Sequence, residues 1–268
     1  MAAEELVEIR DKAVVITGAG RGIGAAMAVR FAAEGPRGLV LADLDGPAAQ
    51  QVAAQVRELG VPAIGVRTDV TRPAEVSELV GAATAEFGDP DLVCSNAGVA
   101  TGMGVHAGAV QWANSWAVNV MAHVHLAQAV LPAFVRRREG YLLITASAVG
   151  LLGLPGDAPY SVTKHAAVAL AEWLAFTYGQ HGVGVSALCP WGVRTELLMP
   201  GVQVGHPAAR AVAGAAPILE PAEVAEATVR GLAEHRFLIL PHPEVGELSA
   251  RKAADPDKWI AAQQRVLR

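Results

Sequence analysis

Short apolar runs alternate with segments of helical periodicity along the whole chain. Because each run is followed by a helical segment, consecutive strands are expected to be parallel and joined by right-handed crossovers. The pattern therefore predicts an α/β fold with a parallel sheet of about seven strands and helices on both faces. The strands are expected near residues 13–17, 38–42, 62–67, 91–95, 141–145, 183–188 and 237–240.

A glycine turn connects the first predicted strand to the first predicted helix. Gly18, Gly22 and Gly24 have the spacing Gly-x-x-x-Gly-x-Gly, because Ile23 stands where the commoner Gly-x-Gly-x-x-Gly pattern needs a glycine. Glycines let the backbone approach a pyrophosphate, and the helix N-terminus stabilises the anion. Asp43 ends the second apolar run, nineteen residues after Gly24, where its carboxylate can bind both adenosine ribose hydroxyls. Together these features predict an NAD(H) site.

The choice between NAD(H) and NADP(H) depends on Arg21 and Asp43. An arginine in the glycine turn can bind a 2′-phosphate, whereas a carboxylate repels it. Two like charges a few ångströms apart cost on the order of several kcal/mol at an effective dielectric of about 20, while Arg21 can turn toward solvent or pair with the pyrophosphate. We therefore expect NAD(H), with Asp45 solvated nearby.

Tyr160 and Lys164 lie four residues apart, on one face of a predicted helix. A nearby ammonium favours the phenolate, so it is expected to lower the pKa of Tyr160 from about 10 toward neutral pH. Such a tyrosine can act as general acid or base on a ketone or alcohol. The pair alone is a weak signal, and it indicates catalysis only in combination with the other motifs.

These motifs together resemble those of the short-chain dehydrogenase/reductase family, and the match runs nearly end to end. Ser147 stands thirteen residues before Tyr160, as is usual in that family. The resemblance implies a Rossmann-like doubly wound sheet in one domain, 1–268, with a substrate loop at about 191–219 and a C-terminal tail at about 241–268. The tail is expected to cover a pocket or a neighbouring subunit, or to be a surface helix. Further matching motifs are Asp69-Val70, Asn96-Ala97-Gly98 and Asn119.

The resemblance also implies a role for each member of the catalytic set. Tyr160 would exchange a proton with the substrate oxygen, and Ser147 would hydrogen-bond the same oxygen. Lys164 would lower the pKa of Tyr160 and bind the nicotinamide ribose. Asn119 would hold, through its backbone, a water that links Lys164 to solvent. No metal is expected, since His123 and His125 are two residues apart on a helix and point to different sides.

The chain departs from the family pattern after the sixth strand, where Trp191 occupies the usual glycine position in Cys189-Pro190-Trp191-Gly192-Val193-Arg194-Thr195. Its indole would shape the substrate pocket or pack the loop. The predicted substrate-binding residues are Ser147, Leu154, Tyr160 and Trp191. The predicted cofactor-binding residues are Gly18, Arg21, Gly22, Ile23, Gly24, Asp43, Asp69, Val70, Asn96, Ala97, Gly98, Tyr160, Lys164, Pro190, Trp191, Val193 and Thr195.

The segments expected around the substrate are mostly apolar or small, which favours an apolar secondary alcohol or its ketone. An alternative is an NADPH-dependent carbonyl reductase, including a 3-oxoacyl reductase, because the arginines at 136–138 can dock an acidic carrier protein. An alternative of another class is an NAD(H)-binding sensor or scaffold, which the presence of Ser147, Tyr160 and Lys164 disfavours. The resemblance also implies a homotetramer or homodimer that pairs helices 106–138 and 158–181.

Composition limits the possible partners and compartment. A net charge of −5 and a pI near 5.9 argue against nucleic acid as a partner. The apolar stretches read as short and interrupted, below the roughly 20 residues of a membrane span, and no secretory signal is visible. A cytoplasmic protein without membrane contact is therefore expected. Cys94 and Cys189 fall near the ends of different predicted strands with another strand expected between them, which predicts two reduced thiols.

Overall fold

Seven strands form one sheet in the computed structural model, which describes residues 8–153 and 155–266. All strand pairs are parallel, and each strand end lies within one residue of its predicted position. The predicted fold class is confirmed. The strands are β1 (Ala13–Thr17), β2 (Gly38–Asp43), β3 (Ala63–Arg67), β4 (Leu92–Ser95), β5 (Gly140–Thr145), β6 (Val183–Leu188) and β7 (Leu238–Ile239), and their order is β3-β2-β1-β4-β5-β6-β7.

Helices cover both faces of the sheet. On one face, Phe31, Val56 and Leu232 come from three helices and pack into one buried cluster. On the other face, Leu79, Phe134 and Leu174 belong to a second cluster. The helices are α1 (Gly22–Ala32), α2 (Gly46–Glu58), α3 (Pro73–Phe87), α4 (Ala109–Trp116), α5 (Ala122–Arg137), α6 (Val149–Leu152), α7 (Ala158–Tyr178), α8 (Met199–Gln203), α9 (Pro207–Ala215), α10 (Pro221–Ala233), α11 (Glu244–Ala254) and α12 (Pro256–Val266).

A π-helical turn, Ala117–Met121, joins α4 and α5 into one helical run, Ala109–Arg137. By length and composition this run could cross a membrane, so the expectation that every apolar stretch is short is wrong. Half of the residues in its most apolar 18-residue stretch are buried inside the protein, and Leu126 and Val130 pack with the sheet. The run is therefore a core helix of this fold.

The order of the strands reverses between β1 and β4, and the carboxyl ends of these strands open a crevice. Cys94 lies in β4 and Cys189 follows β6, with β5 between them. Both thiols are free and buried, and burial raises the pKa of each, that of Cys189 to about 12. They are reduced core thiols, as predicted.

Candidate active site

A cavity of about 1040 Å³ lies at the carboxyl ends of the strands, where their order reverses. Gly24 and Asn119 are the only described residues of the predicted cofactor and catalytic sets that do not line it. Leu154, a predicted substrate contact, lies outside the described residues. The predicted residues that do line the cavity are Gly18, Arg21, Gly22, Ile23, Asp43, Asp69, Val70, Asn96, Ala97, Gly98, Ser147, Tyr160, Lys164, Pro190, Trp191, Val193 and Thr195.

The glycine turn packs tightly between β1 and α1. Gly18 and Gly22 have φ angles of +63° and +55°, which side chains other than glycine rarely adopt. A Cβ on Gly24 would lie 2.1 Å from the carbonyl oxygen of Gly18, so this glycine is needed for close packing of α1. Gly24 does not line the cavity, so its predicted contact with the cofactor stays a prediction.

Asp43 is held at the end of β2 by two backbone amides. Its Oδ2 accepts from the Gly20 N–H at 2.9 Å, and its Oδ1 accepts from the Asp45 N–H at 3.0 Å. Each carboxylate oxygen keeps a further lone pair. Because Asp43 also lines the cavity, its carboxylate is fixed in a position to accept hydrogen bonds from a ligand.

Arg21 forms two ion pairs at the rim of the cavity. Its guanidinium contacts Asp45 at 3.0 Å and Glu196 at 2.7 Å. Asp45 is therefore paired as well as exposed to solvent, which the sequence did not predict, whereas the pairing of Arg21 with a pyrophosphate stays a prediction. All three side chains are largely exposed, so each pair adds at most about 1 kcal/mol of stability.

Tyr160 lies in the first turn of α7, whose N-cap is Asp157. The Asp157 carboxylate is buried and accepts from the Tyr160 N–H at 3.0 Å. It also accepts from the Thr101 N–H at 2.8 Å, the Thr101 hydroxyl at 2.9 Å and the Gly102 N–H at 2.7 Å. One carboxylate thus fixes the start of the Tyr160 helix against the loop that follows β4. Asp157 was not among the predicted site residues, although an Asp directly before Ala-Pro is a helix-start signal.

Ser147 follows β5 and points into the same cavity as Tyr160. Its hydroxyl accepts from the Val149 N–H at 3.1 Å and lies 3.4 Å from the Pro190 carbonyl. Burial raises the pKa of Tyr160 to about 12, although a hydrogen bond with Ser147 acts in the opposite direction. The predicted pair therefore meets in space.

Lys164 is buried, and its Nζ donates to the Thr145 carbonyl at 2.9 Å. Its Nζ lies 5.7 Å from the centroid of the Tyr160 ring. Burial lowers the pKa of Lys164 to about 8. The pKa of Tyr160 is therefore raised in this structure and not lowered as expected, because desolvation of the buried phenol is the largest effect on it.

Asn119 lies in the π-helical turn and is fully buried. Its side chain bonds both backbone groups of Val99 at 2.9 Å and donates to the Thr163 hydroxyl at 3.0 Å. The side chain therefore ties the loop after β4 to α7 without reaching the cavity. Its predicted backbone role in a water relay stays a prediction.

The two neighbouring histidines have separate partners. His123 is buried and pairs with the Ser95 hydroxyl at 2.6 Å, whereas His125 pairs with the Val70 carbonyl at 3.2 Å. Burial lowers the pKa of His123 to about 3. In the described part of the chain, no group of three or more His, Cys, Asp or Glu side chains is placed to hold a metal ion.

The segment 194–218 covers the outer side of the cavity. The two ends of the segment lie side by side. The Arg194 N–H donates to the Leu219 carbonyl at 2.9 Å, and the Leu219 N–H donates to the Gly192 carbonyl at 3.0 Å. We call this segment the cover. Its contribution to the cavity wall is mostly apolar. A substrate loop was predicted here, but of the lining residues in this segment only Thr195 was named among the predicted site residues. The cover residues that line the cavity are Thr195, Glu196, Leu197, Leu198, Pro200, Gly201, Val204, His206, Ala208, Ala209 and Val212.

The site thus combines a glycine turn, a fixed carboxylate and a Ser–Tyr–Lys group in one cavity, which defines a dinucleotide-binding α/β oxidoreductase site. A profile of the short chain dehydrogenase family matches residues 12–203. The chain therefore belongs to this family.

Three relatives show the range of the similarity. A 1-deoxy-11-beta-hydroxypentalenate dehydrogenase of Streptomyces exfoliatus is 37% identical over 72% of this chain and 71% of its own. A 2-(S)-hydroxypropyl-CoM dehydrogenase of Xanthobacter autotrophicus is 34% identical over 68% of this chain and 71% of its own. A short chain dehydrogenase/reductase from Burkholderia phymatum, solved in complex with NAD, superimposes with a TM-score of 0.84 at 35% identity, covering 94% of this chain and 96% of that one.

Proposed function

We propose that this protein is an NAD(H)-dependent oxidoreductase that interconverts an apolar secondary alcohol and its ketone. The observation that carries the proposal is the convergence of Ser147, Tyr160 and Lys164 on the cavity that Asp43 also lines. The family membership supports an oxidoreductase. The apolar cover supports the class of substrate.

The cavity suits a dinucleotide at three points. Arg21, the N-cap of α1, makes no side-chain hydrogen bond to the helix, so the first-turn amides stay available to an anion. Asp43 is oriented for ribose hydroxyls. Lys164 also lines the cavity and lies beside Tyr160, where it could bind the nicotinamide ribose. When bound, the nicotinamide would supply or accept the hydride.

The protein's own groups would handle the proton. In ketone reduction, the neutral Tyr160 phenol donates its proton to the substrate oxygen, and Ser147 donates a hydrogen bond that positions that oxygen. In alcohol oxidation, Tyr160 must first lose its proton. Lys164 would stabilise the phenolate as it forms and would bind the ribose.

Asp43 is the basis for proposing NAD(H) over NADP(H). Its carboxylate is anchored by two amides, so it cannot easily swing away from a 2′-phosphate. Titrating the protein with NADH and NADPH by fluorescence tests the choice. We expect tighter binding of NADH, with the preference reduced at least tenfold in Asp43→Ser. Equal binding of the two cofactors by the unmodified protein would overturn the proposal.

Turnover of a panel of apolar secondary alcohols tests the activity. We expect Tyr160→Phe to lower kcat by a factor of about 10² or more while NADH binding stays within threefold. NADH binding without turnover on a broad panel would favour the sensor or scaffold alternative. A preference for NADPH with turnover of 3-oxoacyl substrates would favour the carbonyl reductase.

We further propose that the protein is a homodimer or homotetramer. Apolar side chains on the outer sides of α4 and α7 support this, since Val110, Trp173 and Phe176 are all at least half exposed. Light scattering of Phe176→Glu would show a smaller species than the unmodified protein. A monomer in both samples would refute the proposal. The cytoplasmic location stays a prediction.

A further inference from the structure

His242 bonds to residues on both sides of the backbone pairing between Val193 and Leu219. It is buried and follows β7. Its Nδ1 accepts from the Trp191 N–H at 3.2 Å, and its Nε2 pairs with the Pro217 carbonyl at 3.1 Å. Because Nδ1 acts as an acceptor, Nε2 carries the proton and donates. The imidazole thus bonds to the backbone just before the cover, at Trp191, and to the backbone near the end of the cover, at Pro217.

Trp191 extends this connection into the cavity wall. Its indole Nε1–H donates to the Val212 carbonyl of α9 at 2.9 Å, and the indole lines the cavity. Val212 and its neighbours Ala208 and Ala209 form the α9 part of that wall. Trp191 is therefore hydrogen-bonded to α9 through its indole and to His242 through its backbone.

The C-terminal helices pack behind the same tryptophan. Leu248 of α11 and Trp259 of α12 belong to a hydrophobic cluster with Trp191. Lys252 of α11 donates to the Leu151 carbonyl of α6 at 2.6 Å. Within the described residues, none beyond Val212 lines the cavity. The C-terminal helices therefore support the cavity from behind.

We propose that His242 is a positioning residue that couples the C-terminal helices, through Trp191, to the cover, and so sets the size of alcohol that the cavity accepts. The statement on alcohol size rests on the proposed function. The coupling itself does not, because it can be measured without substrate.

Hydrogen–deuterium exchange of the full chain tests the coupling. His242→Phe keeps a ring but removes both hydrogen bonds, so amides of 199–219 should exchange about fivefold faster or more. His242→Asn keeps an acceptor near Trp191 and should restore protection near that residue. His242→Gln keeps a donor near Pro217 and should restore protection there. Ile260→Ala, an exposed change on α12, is the matched control and should leave 199–219 unchanged.

Steady-state kinetics with a small and a bulky alicyclic alcohol test the effect on substrate size. In His242→Phe, KM for the bulky alcohol should change about fivefold or more, while kcat for the small alcohol and the Kd for NADH stay within twofold. His242→Asn should recover part of the KM change, which a general loss of folded protein would not allow.

The outcomes separate the two claims. Exchange of 199–219 that is unchanged in His242→Phe overturns the coupling, and so does an equal change in Ile260→Ala. Faster exchange with an unchanged ratio of KM values overturns the effect on substrate size. Faster exchange in a protein that turns over no alcohol supports the coupling and counts against the proposed function. If His242→Phe does not fold, the Asn and Gln variants decide the matter by the same comparison.

Discussion

Replacing Asp157 with Asn tests whether one buried carboxylate holds the catalytic helix in place. The change keeps the shape of the side chain and one acceptor oxygen. That oxygen can still accept from the Thr101 hydroxyl and the Tyr160 N–H. The new amide group, however, would face the N–H groups of Thr101 and Gly102, which are 2.8 and 2.7 Å from Oδ2. Two hydrogen bonds are therefore lost.

The magnitude follows from these two bonds. Hydrogen bonds to a charged group contribute about 1.5–3 kcal/mol each, so we expect the free energy of unfolding to fall by about 3 kcal/mol or somewhat more. For a chain of this size that corresponds to a decrease in Tm of roughly 6–12 °C. Asp255→Asn is the matched control, because Asp255 is an exposed side chain that, among the described residues, accepts one hydrogen bond, from the Lys258 N–H. Its expected loss is at most about 1 kcal/mol.

A pH–rate profile supplies a second readout. The charge of Asp157 raises the pKa of Tyr160, in addition to the larger effect of burial. Removing that charge should move the alkaline limb of alcohol oxidation to lower pH. At the same time kcat/KM at pH 7 should fall, because the loop after β4 would be held to the start of α7 by two fewer hydrogen bonds. A Tm within 2 °C of the unmodified protein would refute the reasoning.

Three further predictions concern the same site. Because oxidation needs the phenolate and the pKa of Tyr160 is raised to about 12, kcat/KM for alcohol oxidation should rise steadily between pH 7 and 10, whereas ketone reduction stays level; a plateau in oxidation near pH 7 would contradict this. Lys164→Met should abolish turnover yet raise stability by about 2 kcal/mol at pH 7. The depressed pKa of Lys164, about 8, means that the cost of burying the ammonium is full below pH 8 and is relieved toward pH 10.5, so thermal melts should show a smaller gain at pH 10. Gly24→Ala should yield little folded protein by circular dichroism, since its Cβ would lie 2.1 Å from the Gly18 carbonyl oxygen, and a melting curve like that of the unmodified protein would show that the turn can relax.

The strands were predictable because parallel strands are buried on both faces and read as continuous apolar runs. The positions of Tyr160, Lys164 and Asp43 followed from local spacing and from the rule that sites gather at the carboxyl ends of strands. These features depend on short segments of sequence. They are therefore visible without knowledge of what packs against them.

The features that the sequence analysis missed depend on distant partners. Asp157 reads locally as a helix start, but its bond to Gly102 spans fifty-five residues. The spacing of Tyr160 and Lys164 gives their proximity and not their burial, so the direction of the Tyr160 pKa was wrong. Likewise, the contacts of Trp191 with Val212 and His242 cannot be read from its place in the motif.

The closed ends of the cover have a consequence for how this scaffold can diversify. Residues 194–218 leave and rejoin the framework at one backbone pairing, Val193 with Leu219, so the segment is an insert whose anchor points are already adjacent. Doubling the length of such a loop costs only about 0.6 kcal/mol in closure entropy. A cover from another protein could therefore be grafted between Val193 and Leu219, provided that it offers carbonyls to Trp191 and His242. Replacing this one segment could then change the substrate range without changing the residues proposed for the acid/base chemistry, Ser147, Tyr160 and Lys164.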